Sequence, residues 1–566
     1  MTDLIDRARS WIGSDPDLST RAELEEIVEE GDTEELESRM NTILEFGTAG
    51  IRGKVGAGPG RMNRAVVILT THGLAQYLLS ASDEVGRVVL GFDARPTSRQ
   101  FAEDAAGVLA AAGIPVLYFP TITPTPLVAY AAKHLRAVAG VVVTASHNPP
   151  EDNGYKVYGP DAAQIVSPMD VAIQHRIQDA PGASDIERID GAFGSAPSLV
   201  APVPADILDC YWEEVAATRS RTSGSDLKVI YTPIHGVGRD TLFDLMDRAG
   251  HTGIEAVPEQ AEPDGTFPTV DFPNPEEPGA LDLAVDLARS KSADLIVAND
   301  PDADRLAVMI PEEREWRPLS GNEIGVLLGD YVLRNDASPG QAILSSSIVS
   351  SPMLAQIAHS YGARHSQTLT GFKWIVRAGL TLQAETGGRF VFGYEEALGF
   401  TIGSTVRDKD GLSAALIFTD LVADLRDEGR TVVDRLHDLW REHGLWVSGQ
   451  TSIASTGPDW LEDMRIVVDR LGEAPPSELG GLAVTAVTDY RRNSEQRPPW
   501  LGEQALVELT LGERGRVLVR PSGTEPKLKI YVDLCDEAGM KPERRYATML
   551  RRARDMGEAV EEMVHL

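Results

Sequence analysis

Ser146 and His147 stand side by side in Val141-Val142-Val143-Thr144-Ala145-Ser146-His147-Asn148-Pro149-Pro150, where a β-branched run enters a stretch that two prolines keep from becoming regular structure. A nucleophile would be displayed there. The next residues, Glu151-Asp152-Asn153-Gly154-Tyr155-Lys156, add a turn signal, with Asn153-Gly154 read as a tight turn that aims Lys156. Hydroxyl, imidazole and ammonium then share one loop, a set suited to a carboxyl or phosphoryl group.

Three further clusters carry chemistry. In Asp300-Pro301-Asp302-Ala303-Asp304-Arg305, carboxylates at alternate positions follow the strand-like Leu295-Ile296-Val297-Ala298 and can converge on one hard cation, which suits magnesium. An EF-hand is disfavoured, because neither the glycine at the sixth position nor the glutamate at the twelfth is present. Asp-rich turns alone commonly cap helices, and the serine-histidine loop in the same chain is what favours the metal reading. In Gly393-Tyr394-Glu395-Glu396-Ala397-Leu398-Gly399, two carboxylates sit between glycines after Phe390-Val391-Phe392, able to accept hydrogen bonds from vicinal sugar hydroxyls. In Arg520-Pro521-Ser522-Gly523-Thr524-Glu525-Pro526, after Val517-Leu518-Val519, a guanidinium, two hydroxyls and free backbone N–H groups form a phosphate cradle.

Positioning these loops requires a repeated theme of short β-branched runs, loops rich in Gly, Pro and Asp, and helical patterns. Val88-Val89-Leu90-Gly91-Phe92-Asp93 leads to a helix near Ser98, and the run ending at Tyr231 leads through Thr232-Pro233-Ile234-His235-Gly236 to one near Arg239. Such alternation means α/β layers with mixed or mostly parallel sheets, which bind ligands beyond the carboxyl ends of strands. His235 is read as a structural hydrogen-bonding residue. With 566 residues, and at about 150 residues per domain, three or four packed units are expected. Composition places an N-terminal helical extension at 1–44, then units at 45–205, 206–317, 318–443 and 444–566, with the Gly/Ala/Ser/Pro-rich residues 182–204 read as an interdomain connection.

The net charge of −33 argues against nucleic acid and anionic membrane surfaces, so an anionic ligand needs a local positive pocket. Its candidates, Arg52, Lys156, Arg305, Lys373, Lys409 and Arg520, are read as lying in glycine-rich motifs or short turns. Glycines flank Arg52 on both sides, and Trp374 beside Lys373 is readable as core. No run of about 18 apolar residues occurs, and residues 1–30 lack the apolar segment of a secretory signal, so a cytoplasmic location is expected. Two cysteines, Cys210 and Cys535, indicate neither a disulfide framework nor a zinc cluster. No P-loop or kinase signature appears.

The four loops, in this order, resemble the α-D-phosphohexomutase family from about Glu45 onward. Smaller matches are Gly47-Thr48-Ala49-Gly50-Ile51-Arg52-Gly53, Gly265-Thr266-Phe267-Pro268 with Pro273-Asn274-Pro275-Glu276, Gly371-Phe372-Lys373-Trp374, and Arg407-Asp408-Lys409-Asp410-Gly411. The resemblance implies a four-domain fold, three related α/β domains and a smaller C-terminal α+β domain around a central cleft. It implies a phosphoserine at Ser146, one magnesium ion on Asp300, Asp302 and Asp304 bridging to Ser146, and Arg305 and Lys156 facing the phosphoryl group. General acid–base work falls to His147 or Lys409, and Glu395 and Glu396 read the sugar. Arg520, Ser522, Gly523 and Thr524 grip the non-reacting phosphate, with Lys529 assisting and Arg52 and Lys373 contacting substrate. The implied partners are sugar phosphates, with a bisphosphate as activator and a monomer or homodimer as the assembly. Ala397, where hexose-specific members often have serine, removes one sugar contact. A glucose or mannose phosphate mutase is the first reading and a phosphopentomutase the second. A phosphoglucosamine mutase fits the sugar loop less well, and a non-catalytic sugar-phosphate sensor would be expected to have lost Ser146 or an aspartate.

Overall fold

A computed structural model describes residues 2–47, 50–81, 84–194, 198–454, 460–522, 527–537 and 541–564. The chain forms two compact units, Met1–Pro311 with Thr405–Leu416, and Glu312–Ser404 with Ile417–Leu566. Among the described residues no helix is long and apolar enough to cross a membrane, and both cysteines are free.

The first unit is built on two mixed sheets. One orders its strands Ile51–Lys54, Asp152–Tyr158, Ala139–Val143, Val88–Phe92, Val116–Tyr118 and Val200–Pro202. Every residue of Val88–Phe92 and Ala139–Val143 is buried, as unbroken apolar runs in a sheet covered on both faces should be. Val88, Leu90, Phe92, Val141 and Val143 share a core with Phe101 and Leu109 of the helix Ser98–Ala111. The other sheet places Leu295–Ala298 between parallel Val229–Thr232 and antiparallel Ala307–Glu312. The helix beyond Thr232 spans Arg239–Arg248. Helices Thr2–Ser14, Leu18–Glu30 and Thr33–Met40 form the extension, and their Leu4, Ala8, Leu24, Leu36 and Met40 pack with Ala57.

Three sequence expectations need correction. Residues 182–204 are not a free connection, because Val200–Pro202 is the edge strand beside Val116–Tyr118, and Ile186, Ala192 and Val200 are buried. Their Gly and Pro content masked a few well-spaced apolar anchors. Asn153-Gly154 is not a turn either: both lie inside the strand Asp152–Tyr158, paired with Gly53 and Arg52. Glycine is needed at 154 because a Cβ there would lie 2.5 Å from the Thr144 carbonyl oxygen and 2.8 Å from that of Ile51. Arg52, Lys156 and Arg520 likewise stand on strands rather than turns, which gives these long cations rigid bases.

The second unit holds a sheet ordered Arg364–Thr368, Ala342–Ser347, Arg389–Glu395 and Gly399–Ile402, the last pair antiparallel. A fully antiparallel sheet follows, ordered Leu445–Ala454, Lys527–Asp536, Gly515–Pro521, Val507–Thr510 and Ala486–Asp489. Ser320 and Thr431 start helices Gly321–Arg334 and Val432–His443 with capping boxes. The architecture is thus three mixed α/β sheets followed by a C-terminal α+β sheet.

Gly154→Ala is expected to lower stability by about 1–3 kcal/mol, because the new methyl group meets backbone that cannot step aside. Gly13→Ala in the helix Thr2–Ser14, with nothing within 4 Å, should be neutral or stabilising. Equal thermal midpoints for the two variants would contradict the close-approach reading.

Candidate active site

Ser146 follows the strand Ala139–Val143 and is only 1% exposed, so its hydroxyl is enclosed rather than displayed. Its φ of 53° is left-handed, a conformation that costs a non-glycine residue roughly 1–3 kcal/mol and must be held from outside. The Ser146 N–H donates to Thr144 Oγ1 at 2.9 Å. Arg95, which the sequence reading passed over, does the rest. Its Nη1 donates to the carbonyls of Pro149 and Asp152 at 2.6 and 2.8 Å, and its Nη2 to those of Ser146 and Asn148 at 2.9 and 2.6 Å. Asp93 backs the guanidinium at 3.4 Å, and the Phe267 ring lies 5.1 Å from it. The only sequence sign of this clamp was the Asp-Ala-Arg-Pro stretch after the strand Val88–Phe92.

Ser146 Oγ donates to Asp300 Oδ2 at 2.5 Å, and His147 Nδ1 lies 3.2 Å from Ser146 Oγ. The serine loop and the acidic loop, 154 residues apart, therefore form one site. Lys156, fully buried, reaches Asp302 Oδ2 at 2.6 Å and Asp304 Oδ2 at 2.8 Å, and Lys409 Nζ reaches Asp304 Oδ2 at 3.1 Å. Thr125, also missed from sequence, donates its hydroxyl to Asp302 Oδ2 at 2.7 Å and its N–H to the Asp302 carbonyl. The Arg305 N–H closes the acidic loop onto Asp300 Oδ1 at 2.9 Å. Arg52 reaches Asn148 Oδ1 at 3.3 Å.

The acidic loop is moulded by its neighbours. Ala303 has a φ of 60°, and Cβ atoms added at Gly236 and Gly411 would lie 2.4 Å from Pro301 Cα and 2.2 Å from the Arg305 carbonyl oxygen. His235 donates or accepts at Thr269 Oγ1, 2.9 Å away, in keeping with a structural role.

Ligand oxygens of Asp300, Asp302 and Asp304 lie within 4.8 Å of one another, and the three residues could hold a metal ion. The fit is chemical as well as geometric. Asp302 Oδ1 and Asp304 Oδ1 are buried and have no hydrogen-bond partner among the described residues, while the Oδ2 atoms are taken by Lys156, Lys409 and Thr125. Such orphaned carboxylate oxygens suit a hard divalent cation. Burial first, then Asp302 and Asp304, pushes the Asp300 carboxyl up to about 8. Burial is the largest influence on Asp302 and Asp304 and opposes their charge, as Asp304 does at Asp302, but Lys156 with Asp300 at Asp302, and Lys156, Lys409 and Arg305 together at Asp304, hold both below the usual range. Burial, then Arg305 and Arg52, keeps His147 well below 6.5 and hence neutral at pH 7.

In the second unit the hairpin Arg389–Glu395 to Gly399–Ile402 carries Glu395 and Glu396. Glu396 accepts from Ser347 Oγ at 3.0 Å and Ser350 Oγ at 3.4 Å. Trp374 packs on the core of Ile348, Leu506 and Leu518, while Lys373 occupies the first turn of the helix Phe372–Thr386. Arg520 donates to Thr370 Oγ1, just before that helix, and stands opposite Lys529 on the paired strands. Like charges so placed repel unless an anion joins them. Tyr531, for which the sequence offers no signal, has its phenol raised by burial, then by Glu396, with Arg520 opposing and Glu395 adding, so it links Glu395 and Glu396 to Arg520. Ser522 does not offer a free N–H, since it donates to the Lys527 carbonyl at 2.7 Å. Gly523 and Thr524, like Thr48 and Ala49, lie outside the described residues.

Models of phosphoglucomutase/phosphomannomutase α/β/α domains I, II and III match residues 44–182, 209–313 and 320–443, and the C-terminal domain model matches 478–544. The chain belongs to the phosphoglucomutase/phosphomannomutase family. This mutase is 41% identical over 479 residues to a probable phosphomannomutase of Haemophilus influenzae, covering 83% of this chain and 93% of that one. It is 35% identical over 564 residues to the phosphopentomutase of Homo sapiens, covering 94% and 91%. Against a phosphoglucomutase of Staphylococcus epidermidis it is 34% identical over 513 residues, covering 89% and 93%. Its fold is shared with a phosphoglucomutase/phosphomannomutase family protein of Burkholderia thailandensis, at a TM-score of 0.66 and 19% identity over 92% of this chain and 98% of that one. Parafusin from Paramecium gives 0.67 and 17% over 92% and 96%. The chain is an enzyme of the mutase type, an isomerase of the phosphohexomutase superfamily.

If Asp300 carries a proton below about pH 8, cation uptake must displace it. Magnesium affinity should therefore rise with pH up to about 8 and level off above it, with proton release on binding at pH 7. Calorimetric titration in two buffers of different ionisation enthalpy reads this directly, and a flat affinity between pH 6.5 and 8.5 would contradict it.

Proposed function

We propose that the enzyme moves a phosphoryl group between the anomeric and terminal hydroxyls of an aldohexose phosphate, glucose or mannose, through phosphorylated Ser146 and a sugar bisphosphate. The observation that carries the reading is Ser146 Oγ on Asp300 at 2.5 Å within a buried cluster of three carboxylates and two lysines. Such a site gathers cationic charge and metal ligands around one hydroxyl.

In the first half-reaction the bond from phosphorus to Ser146 Oγ breaks, a bond to a sugar oxygen forms, and the sugar hydroxyl gives up its proton; in the second a bond from phosphorus to the other sugar oxygen breaks, the bond to Ser146 Oγ forms again, and that sugar oxygen takes back a proton. The bisphosphate turns over and returns its other phosphoryl group to Ser146. Lys409 is proposed to serve the sugar hydroxyl, because His147, kept neutral by burial and then by Arg305 and Arg52, directs Nδ1 at Ser146. Lys156, Arg305 and Arg52 would neutralise the transferring group. A magnesium ion held by Asp300, Asp302 and Asp304 would, when bound, supply Lewis-acid charge at the serine oxygen. Glu395 and Glu396 would read sugar hydroxyls, and Arg520, Lys529, Lys373 and the Ser522-Gly523-Thr524 run would hold the idle phosphate. A bisphosphate in catalytic amount would prime the cycle.

A pentose phosphate is the second reading. Ala397 leaves the sugar loop one hydroxyl short, and the human phosphopentomutase aligns over 94% of this chain.

Turnover of glucose, mannose, ribose and glucosamine 1-phosphates, each with its bisphosphate, separates these readings. Hexose turnover that is lost in Ser146→Ala and in Asp302→Asn with chelator treatment is the expected result. Full activity of Ser146→Ala would sink the phosphoenzyme route.

Arg520→Ala should lower kcat/KM roughly tenfold to a hundredfold for every sugar alike, through loss of a charge-assisted contact. Glu395→Gln should instead change the ratio between sugars. The opposite pattern would mean that the two loops have been assigned the wrong way round.

A further inference from the structure

Lys409 is flanked by two buried aspartates that take no part in the carboxylate cluster. Asp408, 1% exposed, accepts from Tyr158 and from Gln164, each at 2.7 Å on Oδ2, and its own Oδ1 takes the Lys409 N–H at 2.8 Å. Asp410, also 1% exposed, accepts from Tyr211 at 2.7 Å and caps the helix Gly411–Asp427 through the N–H groups of Leu412 and Ser413. Arg407 donates to the Asp161 carbonyl at 2.8 Å. Both tyrosines are fully buried. Burial, then Asp408 and Asp410 respectively, raises each phenol well above 10, so both remain donors at any working pH.

Tyr158 lies on the same strand as Lys156, two residues on, whereas Tyr211 lies in the helix Ile207–Ala216. Two elements far apart in sequence thus grip the residues on either side of Lys409, whose Nζ sits on Asp304 at 3.1 Å. A single grip would leave the backbone free to pivot, while two fix both ends of a three-residue segment.

We propose that Tyr158 with Gln164, through Asp408, and Tyr211, through Asp410, are positioning residues that hold Lys409 in the phosphoryl-transfer site. The inference rests on the proposed role of Lys409 for its kinetic consequence, though not for its geometry.

The test is a double-mutant cycle in the full chain. Tyr158→Phe should lower kcat about tenfold and change KM by less than about twofold, because a contact to a charged group is lost without touching the bound sugar. In a Lys409→Met background the same substitution should change kcat by less than about twofold. Equal losses in the two backgrounds, or no loss in the first, would overturn the proposal, since a merely structural defect adds independently. Gln164→Leu removes a contact to the same carboxylate and takes the place of Tyr158→Phe if that variant does not fold. Acylation of Lys409, read by peptide mass spectrometry, gives an answer without turnover. Labelling should rise in Tyr158→Phe, and unchanged labelling would also overturn the proposal. Should the wild-type chain act on no sugar phosphate, the functional reading fails while the labelling result still decides the positioning claim.

Discussion

A fully buried ammonium between two fully buried carboxylates is the constraint on which the first unit depends. Lys156 projects from the strand Asp152–Tyr158 of one sheet onto Asp302 and Asp304, in the loop that leaves Leu295–Ala298 of the other. Desolvating these charges is expensive, and removing one partner of a buried pair typically costs about 3–5 kcal/mol. A core of hydrophobic residues would be the cheaper solution for stability alone. What the ion pairs add is register: the acidic loop can occupy one position against the first sheet, and that position brings Asp300 to Ser146.

Around this point, space is filled by backbone rather than side chains. Gly154, Gly236 and Gly411 each sit where a Cβ would strike a carbonyl oxygen or a Cα. Ser146 and Ala303 are both left-handed, and Arg95 collects four carbonyls of the serine loop. Strain at Ser146 is thus balanced by one buried guanidinium. A lysine at 95 would supply charge without the planar fork that reaches four acceptors.

The sequence made the chemistry-bearing loops legible because each follows an apolar strand and uses residue types with few purely structural reasons to cluster. Ser146, Asp300, Asp302, Asp304, Lys156 and Lys409 converge as their motifs implied. Less legible were the residues that hold those loops. Arg95, Thr125, Tyr158, Tyr211 and Tyr531 act across long sequence separations, and no local pattern distinguishes a tyrosine that clasps an aspartate from one that fills a core. The Asn-Gly of residues 153 and 154 misled for a related reason. The same glycine that permits a turn also permits two backbones to touch, and only the partner strand Ile51–Lys54 decides between them. The acidic surface was equally uninformative, since the net charge of −33 coexists with a site where Lys156, Lys409, Arg52 and Arg305 gather.

In the proposed reading sugar preference would turn on the second unit, where Glu395, Glu396 and Arg520 all act on Tyr531, and bond-making would turn on the first. The central claim concerns the first. The purified enzyme, treated with glucose 1,6-bisphosphate and freed of small molecules, should gain the mass of one phosphoryl group, and peptide mapping should place it on Ser146. Subsequent addition of glucose 6-phosphate with magnesium should remove it within the time of turnover. Absence of the increment, or its appearance on any other residue, would contradict a phosphoserine carried by the buried cluster of Asp300, Asp302, Asp304, Lys156 and Lys409.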